Sequence, residues 1–420
     1  MKKIKSVPAL VSLILSCAMA INFSGCAVSA QATDLMCGIV PKHVEISDDL
    51  SSANVRAADF ALRLFNEANA GGSNTLISPL SVICALAMTV NGAAGETKEQ
   101  LEEVIGMSAE ELNSYLFSYI SSLPISAKGK LSIANSIWLK NDVGFSVNDS
   151  FLQTNADYYG ADIFKSSFDS KTLDEINNWV KKETDGTIPK ILDRISNSAI
   201  MYLINALSFE AKWQEIYEKD DVKSGKFTNA NGEERNVDML HGTVGKYLED
   251  EHAKGFIKYY EGGGYAFVAL LPNEGVSVYE YLSTLDGEAL LTLLSGAEDI
   301  SVMTAMPKFE VEYEIELSKI LGHLGTTDAF DGSRADFSAL GSMSDGSNIH
   351  IDRVIHKTYI RVGEQGTKAG AATAVEFKNC SMPDFRYDKR ITLDKPFVYM
   401  LIDCENNVPF FIGTMTDVKG

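Results

Sequence analysis

One segment near the C-terminus, residues 364–379, constrains the architecture of this 420-residue chain more than any other. Its composition is that of a loop, because Gly366, Gly370 and several alanines offer little side chain to anchor a core. With the period of two that a β-strand shows, however, it has an uncharged face that consists of Thr367, Ala369, Ala371, Thr373, Val375 and Phe377. The charges fall on the other face, at Lys368, Glu376 and Lys378. Because a charge on an inward face would be buried without partners, the pattern predicts a loop that can enter a sheet.

The first 25 residues have the features of a secretion signal. Lys2, Lys3 and Lys5 precede an apolar run, residues 7–21, that is too short for a membrane-spanning helix. The sequence that follows, Phe-Ser-Gly-Cys ending at Cys26, resembles the bacterial lipobox, in which the cysteine is lipidated and becomes the first residue of the mature chain.

This N-terminus predicts three regions: a lipoprotein-type signal peptide over 1–25, a linker over 26–50 and the folded domain over 51–420. We expect a secreted, extracellular protein that Cys26 can tether to the cell surface. Plain secretion is the alternative, since Phe23 stands where the lipobox usually has leucine.

The charge of the chain limits its partners. Residues 1–25 contain three of the 37 basic residues and none of the 57 acidic ones, so the mature chain keeps 34 basic residues and a net charge of −23. This balance argues against nucleic acid or anionic lipid as a partner. Membrane contact is therefore expected only through the lipid anchor.

The cysteines suggest neither a metal site nor a disulfide framework. Outside the signal peptide they are Cys26, Cys37, Cys84, Cys380 and Cys404, with no CxxC or Cys/His metal-ligand spacing. We expect no metal and no cofactor.

The order of apolar patterns predicts an α+β fold with mostly antiparallel sheets. Helical spacing is found early, at 53–70, 79–90 and 96–104, and again at 173–182 and 317–324. Strand-like runs gather later, at 130–139, 200–209, 265–271, 300–309, 349–362 and 397–402.

Seven motifs in order along residues 50–420 carry a family resemblance. They are Asn74 with Ser78-Pro79-Leu80-Ser81, residues 176–180 (INNWV) with 184–188 (TDGTI), 203–206 (LINA), 307–309 (PKF), 324–325 (LG), 356–357 (HK) and 391–401 (ITLDKPFVYML). In these stretches the chain resembles the serpins. The resemblance implies three β-sheets with eight or nine helices and an exposed reactive-centre loop. It also implies a monomeric suicide-substrate inhibitor of serine proteases, whose partner is the target protease held in a covalent acyl complex.

The resemblance assigns roles to the loop. The hinge at which insertion begins would consist of Glu364, Gly366, Thr367, Ala369, Ala371 and Ala372. Glu364 stands where the hinge of inhibitory serpins usually starts, and the other five residues are small. Family spacing from Glu364 places the scissile bond at Cys380-Ser381. Because the segment before Pro396 is a few residues longer than usual in the family, cleavage after Met382 or Lys378 is an alternative. A small Cys380 side chain suits elastase-like, subtilisin-like or papain-like proteases.

Four polar residues in apolar runs would form the serpin "shutter" beneath the central sheet: Ser78, Ser81, Asn205 and His356. Singly, each such residue is most often a helix cap or a satisfied buried polar group. Together, a hydrogen-bonded cluster can support two sheet arrangements.

Other function classes are disfavoured. The sequence has no G-x-S-x-G, H-E-x-x-H or G-x-x-x-x-G-K motif, so we expect no enzyme. A non-inhibitory serpin that acts as a binding protein or decoy substrate is the second hypothesis, and the charge-sorted, small-residue hinge argues against it.

Overall fold

Helices are concentrated early in the fold, and strands follow one another in longer runs later in the chain. The computed structural model describes residues 32–69, 72–124, 129–141, 144–196, 199–367 and 387–418. In this part of the chain the helices are α1 (Ser51–Ala68), α2 (Pro79–Val90), α3 (Gly95–Ile105), α4 (Ala109–Ser122), α5 (Asp149–Tyr159), α6 (Ser170–Glu183), α7 (Val278–Ser283), α8 (Gly287–Ser295) and α9 (Ser318–Leu324). Short 3-10 helices occur at Lys219–Asp221 and Asp328–Phe330.

The strands are β1 (Thr33–Asp34), β2 (Thr75–Ile77), β3 (Gly129–Lys140), β4 (Phe145–Val147), β5 (Asp162–Ser166), β6 (Met201–Lys212), β7 (Val222–Thr228), β8 (Glu234–Val244), β9 (Lys246–Glu249), β10 (Ala253–Tyr259), β11 (Tyr265–Pro272), β12 (Val302–Pro307), β13 (Phe309–Glu316), β14 (Gly341–Met343), β15 (Arg353–Gly363), β16 (Gly366–Thr367), β17 (Lys389–Thr392), β18 (Phe397–Asp403) and β19 (Pro409–Met415).

These strands form three large sheets and one small one. Sheet A has the order β1-β5-β3-β6-β16-β15-β13, sheet B the order β2-β19-β18-β11-β10-β9, and sheet C the order β17-β12-β8-β7. Strands β14 and β4 form a separate pair. The pairs β3–β5, β6–β15 and β12–β17 are parallel, and the others are antiparallel. The predicted α+β class with mostly antiparallel sheets is confirmed.

Helix α2 occupies the centre of the molecule. Pro79 begins it, where its missing N–H costs nothing, and the Ser78 side chain accepts a hydrogen bond from Ser81 N at 3.3 Å. Every residue of α2 is buried, and the helix contacts β3 and β6 of sheet A and β19 of sheet B. Such a helix can be apolar all round because it lies within the core.

Helix α6 covers the opposite face of sheet A. Ile176 and Val180 of α6 pack in a second apolar cluster with Trp138 of β3, Tyr202 of β6 and Ile355 of β15. Strand β6 is thereby buried on both faces, which explains its nearly continuous apolar sequence.

The compact unit that holds all described residues begins at Ala32. Residues 32–50, which the sequence analysis assigns to a linker, run along its surface. Strand β1 pairs with β5, Leu35 N donates to Ile163 O at 2.9 Å, and Ser47 N donates to Ser118 Oγ at 2.9 Å. Within the described ranges, no helix combines the length and apolar character that crossing a bilayer requires.

The strand-like run predicted over 300–309 corresponds to β12 and the first residue of β13, with a break at Lys308. Strand β12 ends at Pro307 in sheet C and β13 begins at Phe309 in sheet A, so the chain changes sheets at Lys308. Proline cannot donate to a strand ladder, which suits it to such a boundary. The predicted strand over 349–362 begins later than expected, at Arg353.

Candidate functional site: the hinge and the closed end of sheet A

The candidate site lies where β16 enters sheet A. Gly366 and Thr367 pair antiparallel with Lys212 and Ala211 of β6 on one side, and with Gly363 and Val362 of β15 on the other. The start of the loop is therefore already a strand of the sheet.

Farther along, the same two neighbours pair directly with each other. Residues 353–357 of β15 lie parallel to residues 202–206 of β6. Sheet A thus has a third strand between β6 and β15 at one end and none at the other.

The registers of β16 define where a longer strand would run. Each further loop residue moves one position back along both neighbours from the Thr367 pairs with Ala211 and Val362. The ninth residue after Thr367 would then lie opposite Arg353, and the tenth opposite Met201, the ends of β15 and β6. This path is occupied only by the parallel pairing of 353–357 with 202–206.

Both hinge residues fit their positions closely. Gly366 has φ +153°, and a Cβ there would lie 2.0 Å from the carbonyl oxygen of Ala211. Only glycine allows this approach of two backbones. Thr367 is 1% exposed and its hydroxyl is hydrogen-bonded to that of Tyr260.

The turn between β15 and β16 is held by a short segment that follows β6. Trp213 N donates to Gln365 O at 2.9 Å, and its indole Nε1 donates to Gly363 O at 2.8 Å. Tyr217 N donates to Glu364 O at 3.0 Å. We call residues 213–217 the anchor segment.

Glu364 adds an ion pair to the turn. Its carboxylate lies 2.8 Å from Lys308 Nζ, and both side chains are about one-third exposed. Burial alone would raise the pKa of Glu364, but the hydrogen bond and charge of Lys308 outweigh it and lower the pKa. The pair is exposed enough that we expect it to contribute at most about 1 kcal/mol.

The four predicted shutter residues lie together at the closed end. Asn205 of β6 and His356 of β15 are register partners in the parallel pairing. His356 Nε2 accepts from Ser78 N at 3.0 Å, so its Nδ1 carries the proton and donates to Asn205 Oδ1 at 3.1 Å. Ser81 Oγ also donates to Asn205 Oδ1. The cluster therefore links β6 and β15 to the start of α2.

Burial keeps the shutter histidine neutral. It lowers the pKa of His356 to about 3, because no solvent reaches a charged imidazole there. Sequence reasoning missed Asn135 of β3, whose Oδ1 accepts from Asn205 Nδ2 at 2.6 Å. Its one signal is a polar residue within the strand-like run 130–139.

Several predicted site residues lie outside the described residues. They are Cys26, Ala369, Ala371, Ala372, Cys380 and Ser381, with the alternatives Lys378 and Met382. In the ranges that the structure covers, no group of three or more histidine, cysteine, aspartate or glutamate residues is placed to hold a metal ion. The cysteines in those ranges, Cys37, Cys84 and Cys404, are free thiols.

Comparison with known proteins agrees with this geometry. The sequence model described as "Serpin (serine protease inhibitor)" matches residues 55–418. The chain belongs to the serpin family. It is 30% identical to leukocyte elastase inhibitor A of Mus musculus over 387 residues, which cover 87% of this chain and 98% of that protein. Members of the family are protease inhibitors, and the predicted serpin fold is confirmed.

Among solved serpins, the thermophilic serpin tengpin is similar in two states. Its native-state structure matches with a TM-score of 0.87 at 43% identity, over 93% of this chain and all of that one. Its latent-state structure matches with a TM-score of 0.78 at 44% identity, over 90% of this chain and all of that one. The described residues therefore resemble the native arrangement more closely than the latent one.

Proposed function

We propose that this serpin is a suicide-substrate inhibitor of extracellular serine proteases of the elastase or subtilisin type, with papain-like cysteine proteases as a second target class. The observation that carries the proposal is the hinge, which is docked in register between β6 and β15, with the parallel pairing of 353–357 to 202–206 ahead of it.

The reaction begins as ordinary proteolysis. The serine hydroxyl of the protease attacks the carbonyl carbon of Cys380, the Cys380-Ser381 bond breaks, and the new amino group of Ser381 leaves. The Cys380 acyl group remains esterified to the protease. Until water hydrolyses that ester, the freed loop can move.

Insertion then competes with hydrolysis. The registers allow about ten further loop residues to pair within sheet A. At about 0.5–1.5 kcal/mol per hydrogen-bonded residue, the gain is on the order of 10 kcal/mol before the loss of the five β6–β15 pairs is subtracted. This is comparable to the whole stability of a typical domain, about 5–15 kcal/mol. After that loss, on the order of 5 kcal/mol remains to move the attached protease and distort its catalytic site.

The test is incubation with pancreatic elastase, subtilisin, papain and trypsin, followed by denaturing gels and mass spectrometry of the released C-terminal peptide. We expect a complex with elastase or subtilisin that survives SDS, and a peptide that begins at Ser381. A peptide that begins at residue 379 or 383 would instead assign cleavage to Lys378 or Met382. If the proteases cleave the chain and none of them forms a complex, the protein is a decoy substrate and the proposed inhibition is refuted.

We also propose that the protein acts outside the cell, after removal of residues 1–25 and lipidation of Cys26. Metabolic labelling with palmitate should label the wild-type chain and not the Cys26→Ser variant. Release of the unlabelled wild-type chain into the medium would favour plain secretion.

A further inference from the structure

A buried lysine lies directly behind the anchor segment. Lys258 of β10 is 5% exposed. Its Nζ donates to the main-chain carbonyl of Glu215 at 2.9 Å. It also faces two aromatic rings, at 4.4 Å from the ring centroid of Tyr217 and 5.4 Å from that of Trp213. Both distances are within the range of cation–π attraction.

These contacts fall on the residues that hold the hinge turn. The two rings that face Lys258 belong to Trp213 and Tyr217, whose main-chain N–H groups bind Gln365 O and Glu364 O. The Trp213 ring is also stacked on Tyr260, with centroids 4.4 Å apart and planes at 11°. Tyr260 in turn holds the hydroxyl of Thr367. Lys258 thus contacts both aromatic residues whose main-chain N–H groups hold the hinge turn.

A charge at this buried position is costly. Burial lowers the pKa of Lys258 to about 8, since the ammonium loses hydration that its neighbours only partly replace. An apolar side chain of similar volume in place of a buried ion is often neutral or stabilising. Packing alone therefore does not account for a lysine here.

We propose that Lys258 is a positioning residue for loop insertion: its ammonium group clamps the anchor segment and so fixes the turn about which the freed loop rotates into sheet A. The proposal rests on the inhibitory function proposed above. If the clamp is lost, the turn loosens and insertion slows, while hydrolysis of the acyl-enzyme continues at its own rate.

The test compares Lys258→Met, which removes the charge, with Lys258→Arg, which retains it. Lys246→Met is the matched control, because Lys246 on the adjacent β9 forms an ion pair with Asp299 at 2.7 Å instead. The readouts are the stoichiometry of inhibition with the protease that forms the complex, and the melting temperature. We expect Lys258→Met to raise the stoichiometry at least about fivefold without lowering the melting temperature, and the other two variants to stay within about twofold of wild type.

A merely structural lysine would behave differently. A Lys258→Met variant with a lower melting temperature and unchanged stoichiometry would overturn the proposal. So would a Lys258→Arg variant that is as impaired as Lys258→Met.

Hydrogen exchange separates this proposal from the inhibitory function on which it rests. The amides of Trp213 and Tyr217 should exchange at least about tenfold faster in Lys258→Met than in Lys246→Met, whether or not any protease is trapped. Equal exchange would overturn the clamp. Absence of any complex with the wild-type chain would instead refute the inhibitory function.

A pH series covers the case in which Lys258→Met fails to fold. Between pH 7 and 9.5, the fluorescence of the wild-type chain should change with a midpoint near 8 as the ammonium beside Trp213 loses its proton. The same scan of Lys258→Arg should be flat. The neighbouring carboxylates of Glu215 and Asp221 act on the Lys258 ammonium through their charge, and burial raises the pKa of the Tyr217 phenol away from this range. A matching transition in both proteins would contradict the clamp.

Discussion

Replacing Thr367 with arginine should convert the inhibitor into a substrate. The Thr367 side chain is 1% exposed and bonded to Tyr260, between Ala211 and Val362. Because Thr367 is already docked in sheet A, an arginine here should keep β16 out of the sheet in the uncleaved chain. Insertion would then have to bury a guanidinium that has no carboxylate partner. Such an uncompensated buried charge costs about 3–5 kcal/mol.

The cost of burying the guanidinium changes the ratio of covalent complex to clipped chain. If residues 366 and 367 of this variant must re-enter the sheet before the rest of the strand forms, the barrier to insertion rises by about 3 kcal/mol, and insertion slows by about 100-fold. Hydrolysis of the acyl-enzyme does not involve Thr367 and should keep its rate. The stoichiometry of inhibition should then rise from near one to above about ten.

The assay is a titration of elastase with inhibitor, read by residual activity and by the ratio of complex to clipped chain on denaturing gels. Lys368→Glu is the matched control. In an inserted strand, residue 368 would lie opposite Glu210 and Arg361, which are both exposed, so a change of charge there should leave the stoichiometry within about twofold. An unchanged complex yield for Thr367→Arg would refute the reasoning.

Three further predictions concern the hinge, the energy of insertion and the shutter. Gly366→Ala should reduce complex yield on the same gels, because its Cβ would lie 2.0 Å from Ala211 O in the docked strand, and equal yield would show that the strand tolerates it. Cleavage within the loop should raise the melting temperature in calorimetry by about 5–15 °C, since each kcal/mol shifts a domain of this size by roughly 1–1.5 °C; no shift would argue against a metastable native state. Acidification from pH 6.5 towards 3 should lower the unfolding free energy by up to about 1.4 kcal/mol per pH unit through His356, because the unfolded chain binds a proton that the folded chain excludes. Urea titrations should show a weaker pH dependence for His356→Gln, and an equal slope would assign the effect elsewhere.

Elements with a strong repeating pattern could be predicted from the sequence. Helix α2 was predicted at 79–90 because Ser78 and Pro79 form a complete start signal. The predicted runs 130–139, 200–209 and 265–271 correspond to β3, β6 and β11, which are long and largely buried.

Elements whose pattern depends on tertiary neighbours were not predicted. Helices α4 and α5 were missed, although Ser108 caps α4 by accepting from Glu111 N. Strands β7 and β8 were not predicted, because the polar residues on their exposed faces interrupt the apolar pattern. The boundary at Lys308 depends on which sheet each half joins, and no local pattern encodes that.

The candidate site divides in the same way. The shutter was predicted from a resemblance, and its four residues meet although Ser78 and His356 are 278 positions apart. The anchor segment was not predicted, because its hydrogen bonds come from main-chain groups and Trp213 resembles an ordinary core residue in the sequence. Lys258 gave no signal, since a single lysine in a strand is normally exposed.

The structure of the chain after cleavage within its loop tests the account most directly. It should contain a strand over about residues 366–377 between β6 and β15, with the pairing of 353–357 to 202–206 gone. A cleaved chain that keeps this parallel pairing, with no strand added after Thr367, would contradict the account.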